Sequence, residues 1–305
     1  MLQRRIILAG GSGFLGRRLA EFFQERHFDV ISLTRSRSNR TGFVHWQPGS
    51  VGPWYKNLEG AAALINLTGR SVDCRPTKSN RAEVLRSRVQ SVVTLADAIR
   101  KCETQPSVWI QASSAAIYGD MHNEACTEET SVGEGFAADV CRRWEKELQL
   151  QRIEGLRKVV LRIGFVLAAN GGALNRLARL TEMGLGGAAG NGKQYISWLH
   201  HQDFCRMVLW CIENHLASGV YNATGPHPVT NSEFMRVLRK TLNKSAFLPM
   251  PSPVVRLGAL LLRTDPSLAL TGRKALPQRL LDLGFQFEYP ELQPAMGEIF
   301  GTTPR

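Results

Sequence analysis

The chain has 305 residues, 43% of them hydrophobic, which suffices for a sizeable core in one large domain or two unequal ones. Its formal charge is +12, yet Arg and Lys are spread along the chain and no basic segment is interleaved with aromatics. That argues against a nucleic-acid partner and for a basic surface with some arginines serving phosphate ligands. No apolar run reaches the length of a membrane span, and Cys74, Cys102, Cys126, Cys141, Cys205 and Cys211 lack metal-type spacing. The expectation is a protein of the reducing cytoplasm with free thiols, no membrane partner and no metal site.

The start, MLQRRIILAGG, places basic residues before an apolar stretch in the manner of a signal peptide. The apolar run is short and leads straight into a glycine turn, so it reads as a first strand. Residues 6–16 are IILAGGSGFLG. Gly10 permits the tight turn, Gly13 lets the backbone approach a pyrophosphate, and Gly16 lets the following helix pack on the strand. Gly10, Gly11, Ser12, Gly13, Phe14, Leu15 and Gly16 therefore form a candidate cradle, with the N–H groups of a helix at 14–26 directed at phosphate. A second strand spans Asp29–Thr34 and runs into Thr34-Arg35-Ser36-Arg37. A carboxylate is needed there to hold the adenine-ribose hydroxyls of NAD. With arginine in its place, a 2′-phosphate is the better partner, and the cofactor implied is NADP(H).

Strands are expected at 43–46, 62–67, 108–112 (ending in Ser113-Ser114) and 158–167, with helices at 80–102 and 135–151. The glycine-rich stretch 171–192 reads as a lid or ligand-facing loop. Beyond it come an extended segment at 195–199, a helix at 203–214, a strand at Gly219–Ala223 and a helix at 230–243. A connection rich in Pro249, Pro251 and Pro253 follows, then an apolar segment 254–262, a basic segment 263–277 and a helix at 278–283. The implied class is α/β: a Rossmann-type doubly wound parallel sheet with a smaller, mainly helical C-terminal substrate domain. The expected division is 1–166 plus 195–225 for the first and 167–194 plus 226–305 for the second, with ligands in the cleft between them.

The spacing Gly10-x-x-Gly13-x-x-Gly16 resembles that of extended short-chain dehydrogenases/reductases. Further segments carry the likeness: INLTGRSVDCR (65–75), SRVQS (87–91), LRIGFVL (161–167), GNGKQYISWLHHQDF (190–204), YNATGPHPVTNSEF (221–234) and ALPQRLLDLGFQFEYPEL (275–292). Together they resemble the atypical "epimerase family" of that superfamily, labelled as nucleoside-diphosphate sugar epimerases or cell-division inhibitors. The resemblance implies NADP(H) contacts at Thr34, Arg35 and the neighbouring Ser36, at Leu67 and Thr68, at Glu83 and Arg88, and at Val166, which would close the sixth strand beside the nicotinamide. Arg70 stands where many members have Glu, and Pro76 where an aromatic is usual.

Typical members of the superfamily use a tyrosine and, four residues on, a lysine that lowers its pKa. Aligning Glu145 with the family's helix glutamate puts Ala137 and Cys141 at those positions, so the pair is missing. Ser114 matches the substrate-orienting serine, with Ser113 as the alternative, and Tyr118 reads as structural. Ile196 occupies the place of an arginine that clamps sugar-nucleotide diphosphates, and His200 and Asp203 read as strand-end and helix-cap residues. The expected function is an NADP(H)-dependent oxidoreductase acting on an unidentified small carbonyl or alcohol. The alternatives are a non-catalytic NADPH-binding sensor or interaction protein and a nucleotide-sugar epimerase or dehydratase. A homodimer is left open.

Overall fold

The computed structural model describes residues 4–245, 247–261 and 264–301. Leu262 and Arg263, at the join of the expected apolar and basic segments, lie outside the described residues, as do residues 1–3 of the leader-like start.

The first half alternates strand and helix: β1 (Arg5–Ala9), α1 (Phe14–Gln24), β2 (Asp29–Thr34), β3 (Phe43–His45), β4 (Ala63–Asn66), α2 (Lys78–Ile99), β5 (Val108–Ser114), β6 (Ala125–Cys126), α3 (Phe136–Leu150) and β7 (Arg157–Ile163). The second half adds β8 (Phe165–Leu167), α4 (Gly172–Glu182), β9 (Tyr195–Ile196), β10 (Trp198–His200), α5 (His201–Glu213), β11 (Gly219–Ala223), β12 (Val229–Thr230), α6 (Asn231–Thr241), α7 (Ser252–Leu261), α8 (Ser267–Leu270), β13 (Lys274–Ala275), α9 (Gln278–Asp282) and α10 (Leu292–Phe300). No helix among the described residues is long and apolar enough to cross a membrane.

Seven strands form one parallel sheet in the order β11-β7-β5-β4-β1-β2-β3. Its strands are apolar on both faces, as covering by helices requires; Ile6, Ile7, Leu8 and Ala9 of β1 are fully buried. The chain winds outward from β1 in one direction through β2 and β3, then in the other through β4, β5, β7 and β11. The order reverses between β1 and β4, so a crevice opens outside the carboxyl ends of that pair.

Two expectations need correction. Residues 158–167 are not one strand: β7 ends at Ile163, and β8 leaves the large sheet to pair with β10. Gly164 is the break, because a Cβ there would lie 2.2 Å from the Ser197 carbonyl oxygen. Nor is 171–192 wholly loop. Leu174, Ala178 and Thr181 recur at helical spacing and are buried, which makes 172–182 the helix α4. The glycines Gly171 (φ +108°) and Gly172 (φ +67°) lead into it, and the Phe14 ring lies against both.

A large core fills both faces of the sheet, and a second, smaller core joins Leu167, Leu174, Trp198, Phe234, Leu238 and Met296. Leu280 and Phe285, late in the chain, belong to the larger core. The layers are fastened by Asp203 on α5, whose carboxylate accepts the Glu288 and Tyr289 amides at 2.8 and 2.9 Å. A third cluster of Ala115, Ile117, Tyr118, Cys126, Cys141 and Ala275 sits where β13 pairs with β6.

Candidate cofactor and substrate site

The glycine turn is fixed by contacts that leave no room for side chains. Gly10 has φ +87°, and a Cβ there would lie 3.1–3.2 Å from the backbone of Leu67 and Thr68 at the end of β4. A Cβ on Gly11 would collide with the Ser32 side chain at 2.3 Å, and one on Gly16 would meet Gly10 O and Gly11 Cα at 2.6 Å. Gly13 differs, because its Cβ would have only one contact, Gly10 O at 3.3 Å. Its outer side is the open approach that a phosphate needs. Gly13 is also the N-cap of α1, with no side-chain cap and no acid in the first turn. The first amides of the helix are thus left for an anion. Ser12 is exposed, and its carbonyl accepts Arg17 Nη1 at 2.9 Å.

Thr34 is buried and its hydroxyl accepts the Ser36 amide at 3.3 Å, which shapes the end of β2. Arg35 and Ser36 are exposed directly beyond it, and the Arg35 guanidinium has no hydrogen-bond or ion-pair partner among the described residues. Thr68 Oγ1 is buried and without a partner among the described residues. An orphaned hydroxyl on the residue whose backbone lies against Gly10, together with a helix end with unused amides, fits a dinucleotide running along the carboxyl ends of β1 and β4.

Other expected contact residues have partners within the protein. The Glu83 carboxylate is held by Arg86 on its own helix, one turn on. Arg88 donates to the Arg70 and Val84 carbonyls at 3.0 and 2.9 Å and lies over the Trp144 ring, close beneath Gly69. Burial holds its guanidinium below the ordinary arginine value. Val166 does not close the sixth sheet strand; it lies in β8, opposite Leu199, with its side chain packed in the larger core.

The acid–base groups are occupied. Ser114 Oγ caps the short 3-10 turn at Ala115–Tyr118, accepting the Ala116 amide at 3.2 Å and lying 3.4 Å from the Ile163 carbonyl. Ser113 points the other way and donates to Glu145 at 2.6 Å. Glu145 forms a buried two-pronged pair with Arg162, at 3.1 and 3.0 Å. Arg162 in turn donates to the Tyr118 hydroxyl at 3.0 Å, and that hydroxyl donates to Asn222 at 2.7 Å. Burial pushes the Tyr118 phenol above its usual value. The Cys141 thiol is buried next to the Ser114 backbone and is pushed up to about 11, mainly by burial. Ile196 sits in β9 opposite Val229.

His200 caps α5, accepting the Gln202 amide on Nδ1 at 3.3 Å, while Nε2 lies 3.0 Å from Glu298. With His201 these groups place three donor atoms within 4.8 Å of one another. The Gln202 amide takes the Nδ1 lone pair, so the proton sits on Nε2 and is shared with Glu298; neither nitrogen of His200 is free for a metal. Burial brings the His200 ring down to about 4 from 6.5. The unfolded chain therefore binds a proton that the folded one refuses between those values. This contribution to stability is complete above pH 6.5 and is lost as pH falls toward 4. Between pH 7 and pH 4.5 it amounts to about 2 kcal/mol. Urea unfolding at both pH values should show the loss in the parent chain and a loss smaller by that amount in His200→Asn, which keeps a cap without a titrating group. An equal loss in both would remove His200 as the cause.

One cleft of about 440 Å³ lies between Arg75, Pro76 and Thr77, just ahead of α2, and Arg256, Ala259 and Leu260 of α7. It opens between the nucleotide-binding layer and the C-terminal helices.

Comparisons with known proteins agree with this geometry. The model of the NAD dependent epimerase/dehydratase family matches residues 6–224, and a domain of unknown function, DUF1731, matches residues 250–299. The human epimerase family protein SDR39U1 is 31% identical over 299 residues, covering 97% of this chain and 99% of the relative. A crystal structure of human SDR39U1 (isoform 2) with NADPH has a TM-score of 0.87 at 29% identity, covering 98% of this chain and 100% of that one. A nucleoside-diphosphate sugar epimerase from Corynebacterium glutamicum has a TM-score of 0.80 at 28% identity, over 98% of this chain and 58% of that one. With the seven-stranded sheet, its glycine turn and a family match across more than two thirds of its length, the chain belongs to the NAD dependent epimerase/dehydratase family.

Proposed function

We propose that the protein binds NADP(H) in preference to NAD(H) and acts as an oxidoreductase on a small carbonyl or alcohol. One observation carries the cofactor choice: Arg35 stands exposed and unpaired directly after β2, where no carboxylate is present to hold a 2′-hydroxyl. The NADPH in the human relative's structure supports the same choice. Gly10, Gly11, Ser12, Gly13, Phe14, Leu15 and Gly16 would line the pyrophosphate, Thr34, Arg35 and Ser36 the 2′-phosphate, and Leu67 and Thr68 the inner edge of the crevice. When bound, the nicotinamide supplies or accepts a hydride. The chain's own part is to orient the substrate oxygen at the end of β5, where Ser114 lies, and to exclude water with the C-terminal layer.

Arg35→Asp is expected to cost about 2–3 kcal/mol of NADPH affinity, the scale of a lost charge-assisted pair, while NADH affinity holds or improves. Isothermal titration of both cofactors checks this. An equal fall for both would mean that Arg35 does not read the 2′-phosphate.

A second reading, an NADPH-binding sensor without chemistry, is favoured by one specific arrangement. Cys141 fills the lysine position as a buried thiol raised to about 11, and the nearby Tyr118 hydroxyl is committed to Arg162 and Asn222. NADPH oxidation with any member of a carbonyl panel, absent in a protein that cannot bind NADPH, would decide for the enzyme. A nucleotide-sugar substrate is the weakest reading, because apolar Ile196 cannot pair with a diphosphate.

A further inference from the structure

The helix α7 reads SPVVRLGALL, with Arg256 its one charge. A helix so apolar is normally buried. Here Val254, Leu257, Leu260 and Leu261 are 44–74% exposed, and Ala259 is its buried residue. Apolar side chains scattered singly need no explanation, but a contiguous set on one helix marks a binding surface. Arg256, Ala259 and Leu260 stand three and four positions apart and share one face of α7. That face, continued by Pro266, forms one wall of the cleft of about 440 Å³; Arg75 and Pro76 form the other. The volume is that of a small-molecule site.

The charge of this cleft is one-sided. Arg75 and Arg256 line it from opposite walls, and no acidic side chain lines it among the described residues. Both arginines are exposed, and neither guanidinium has a hydrogen-bond or ion-pair partner among the described residues. The wall at Arg75 is fixed in place. Its carbonyl accepts the Thr77 amide at 2.8 Å and Asn80 Nδ2 at 2.9 Å, and Asn80 Oδ1 accepts Arg70 Nη2 at 2.8 Å. Asp73, in the same segment, pairs with Arg176 of α4. One braced segment thus runs from Thr68, at the crevice beside the glycine turn, to Arg75 in the cleft. We propose that the cleft holds the substrate and that the substrate is an amphiphilic anion, its apolar body against Pro76, Ala259, Leu260 and Pro266 and its one carboxylate or phosphate between Arg75 and Arg256. This rests on the oxidoreductase reading and names its substrate class.

The test titrates the full chain, with and without saturating NADPH, with decanoate, octanoate and decanol, each below its micelle-forming concentration. Decanoate is expected to bind. Octanoate should bind at least about fivefold more weakly, because two fewer methylenes are buried, and decanol more weakly for want of a charge. Arg75→Gln and Arg256→Gln should each weaken decanoate binding about threefold, and together about tenfold, the scale of exposed ion pairs. Decanol binding, NADPH binding and the thermal midpoint should not change, and lysine at either position should restore most of the loss. Arg152→Gln, between α3 and β7 at the amino end of the sheet, should have no effect. Tighter binding of decyl phosphate than of decanoate would make the anionic group a phosphate. No decanoate binding, equal affinity for both chain lengths, or full decanoate affinity in the double variant would overturn the proposal. So would uptake onto phosphatidylglycerol vesicles without binding of free decanoate, which would make α7 a membrane-surface helix. Decanoate binding that follows the expected pattern, with no NADPH oxidation by decanal or ω-oxodecanoate, would keep this site and count against the oxidoreductase reading.

Discussion

Replacing Glu145 by alanine is expected to destabilise the protein by about 3–5 kcal/mol, the cost of leaving a buried partner charge uncompensated. Glu145 and Arg162 are 7% and 9% exposed, and their two contacts of 3.0–3.1 Å form the centre of a polar network. Burial alone would lower the Arg162 guanidinium; the Glu145 hydrogen bonds and charge outweigh that and hold it above its ordinary value. Without Glu145 that cation keeps only the Tyr118 hydroxyl and a distant carbonyl, and Ser113 Oγ loses its acceptor. The double variant Glu145→Leu/Arg162→Met should recover much of the loss, since an apolar pair of similar volume carries no unpaired charge. Urea unfolding measures both. A loss below about 1 kcal/mol for Glu145→Ala would show that the pair is open to water.

This network also sets what chemistry is available. Tyr118 hydroxyl, Ser113 and Asn222 staple the carboxyl ends of β5, β7 and β11 through Glu145 and Arg162, and the phenol is engaged by Arg162 and Asn222.

Gly16→Ala should reduce NADPH affinity at least about 100-fold and also lower stability. The new methyl would sit 2.6–2.7 Å from Gly10 O, Gly11 Cα and Gly11 O. These are backbone atoms of the turn itself, so α1 must be pushed off the turn and its amides displaced from the phosphate path. Gly13→Ala separates binding from folding. Its methyl meets only Gly10 O at 3.3 Å, so stability should fall little while NADPH affinity falls, because the methyl enters the phosphate space. Thermal unfolding and NADPH titration of the two variants provide the check. Normal NADPH binding by Gly13→Ala would mean that the pyrophosphate does not pass over that glycine.

Much of the sheet was legible because strands such as Ala63–Asn66 and Val108–Ser114 are near-continuous apolar runs bounded by turn residues. The glycine turn was equally legible, since its spacing encodes close backbone approach. What failed depended on distant partners. The break at Gly164 is imposed by Ser197, thirty-three positions later. The helix at Gly172–Glu182 was hidden by its flanking glycines, although Leu174, Ala178 and Thr181 carried the period.

If the end of β2 reads a 2′-phosphate, calorimetric titration of the purified chain with NADPH and with NADH under identical conditions should show it. NADPH is expected to bind at least about tenfold tighter, on the scale of one charge-assisted contact. Equal affinities, or tighter binding of NADH, would contradict it.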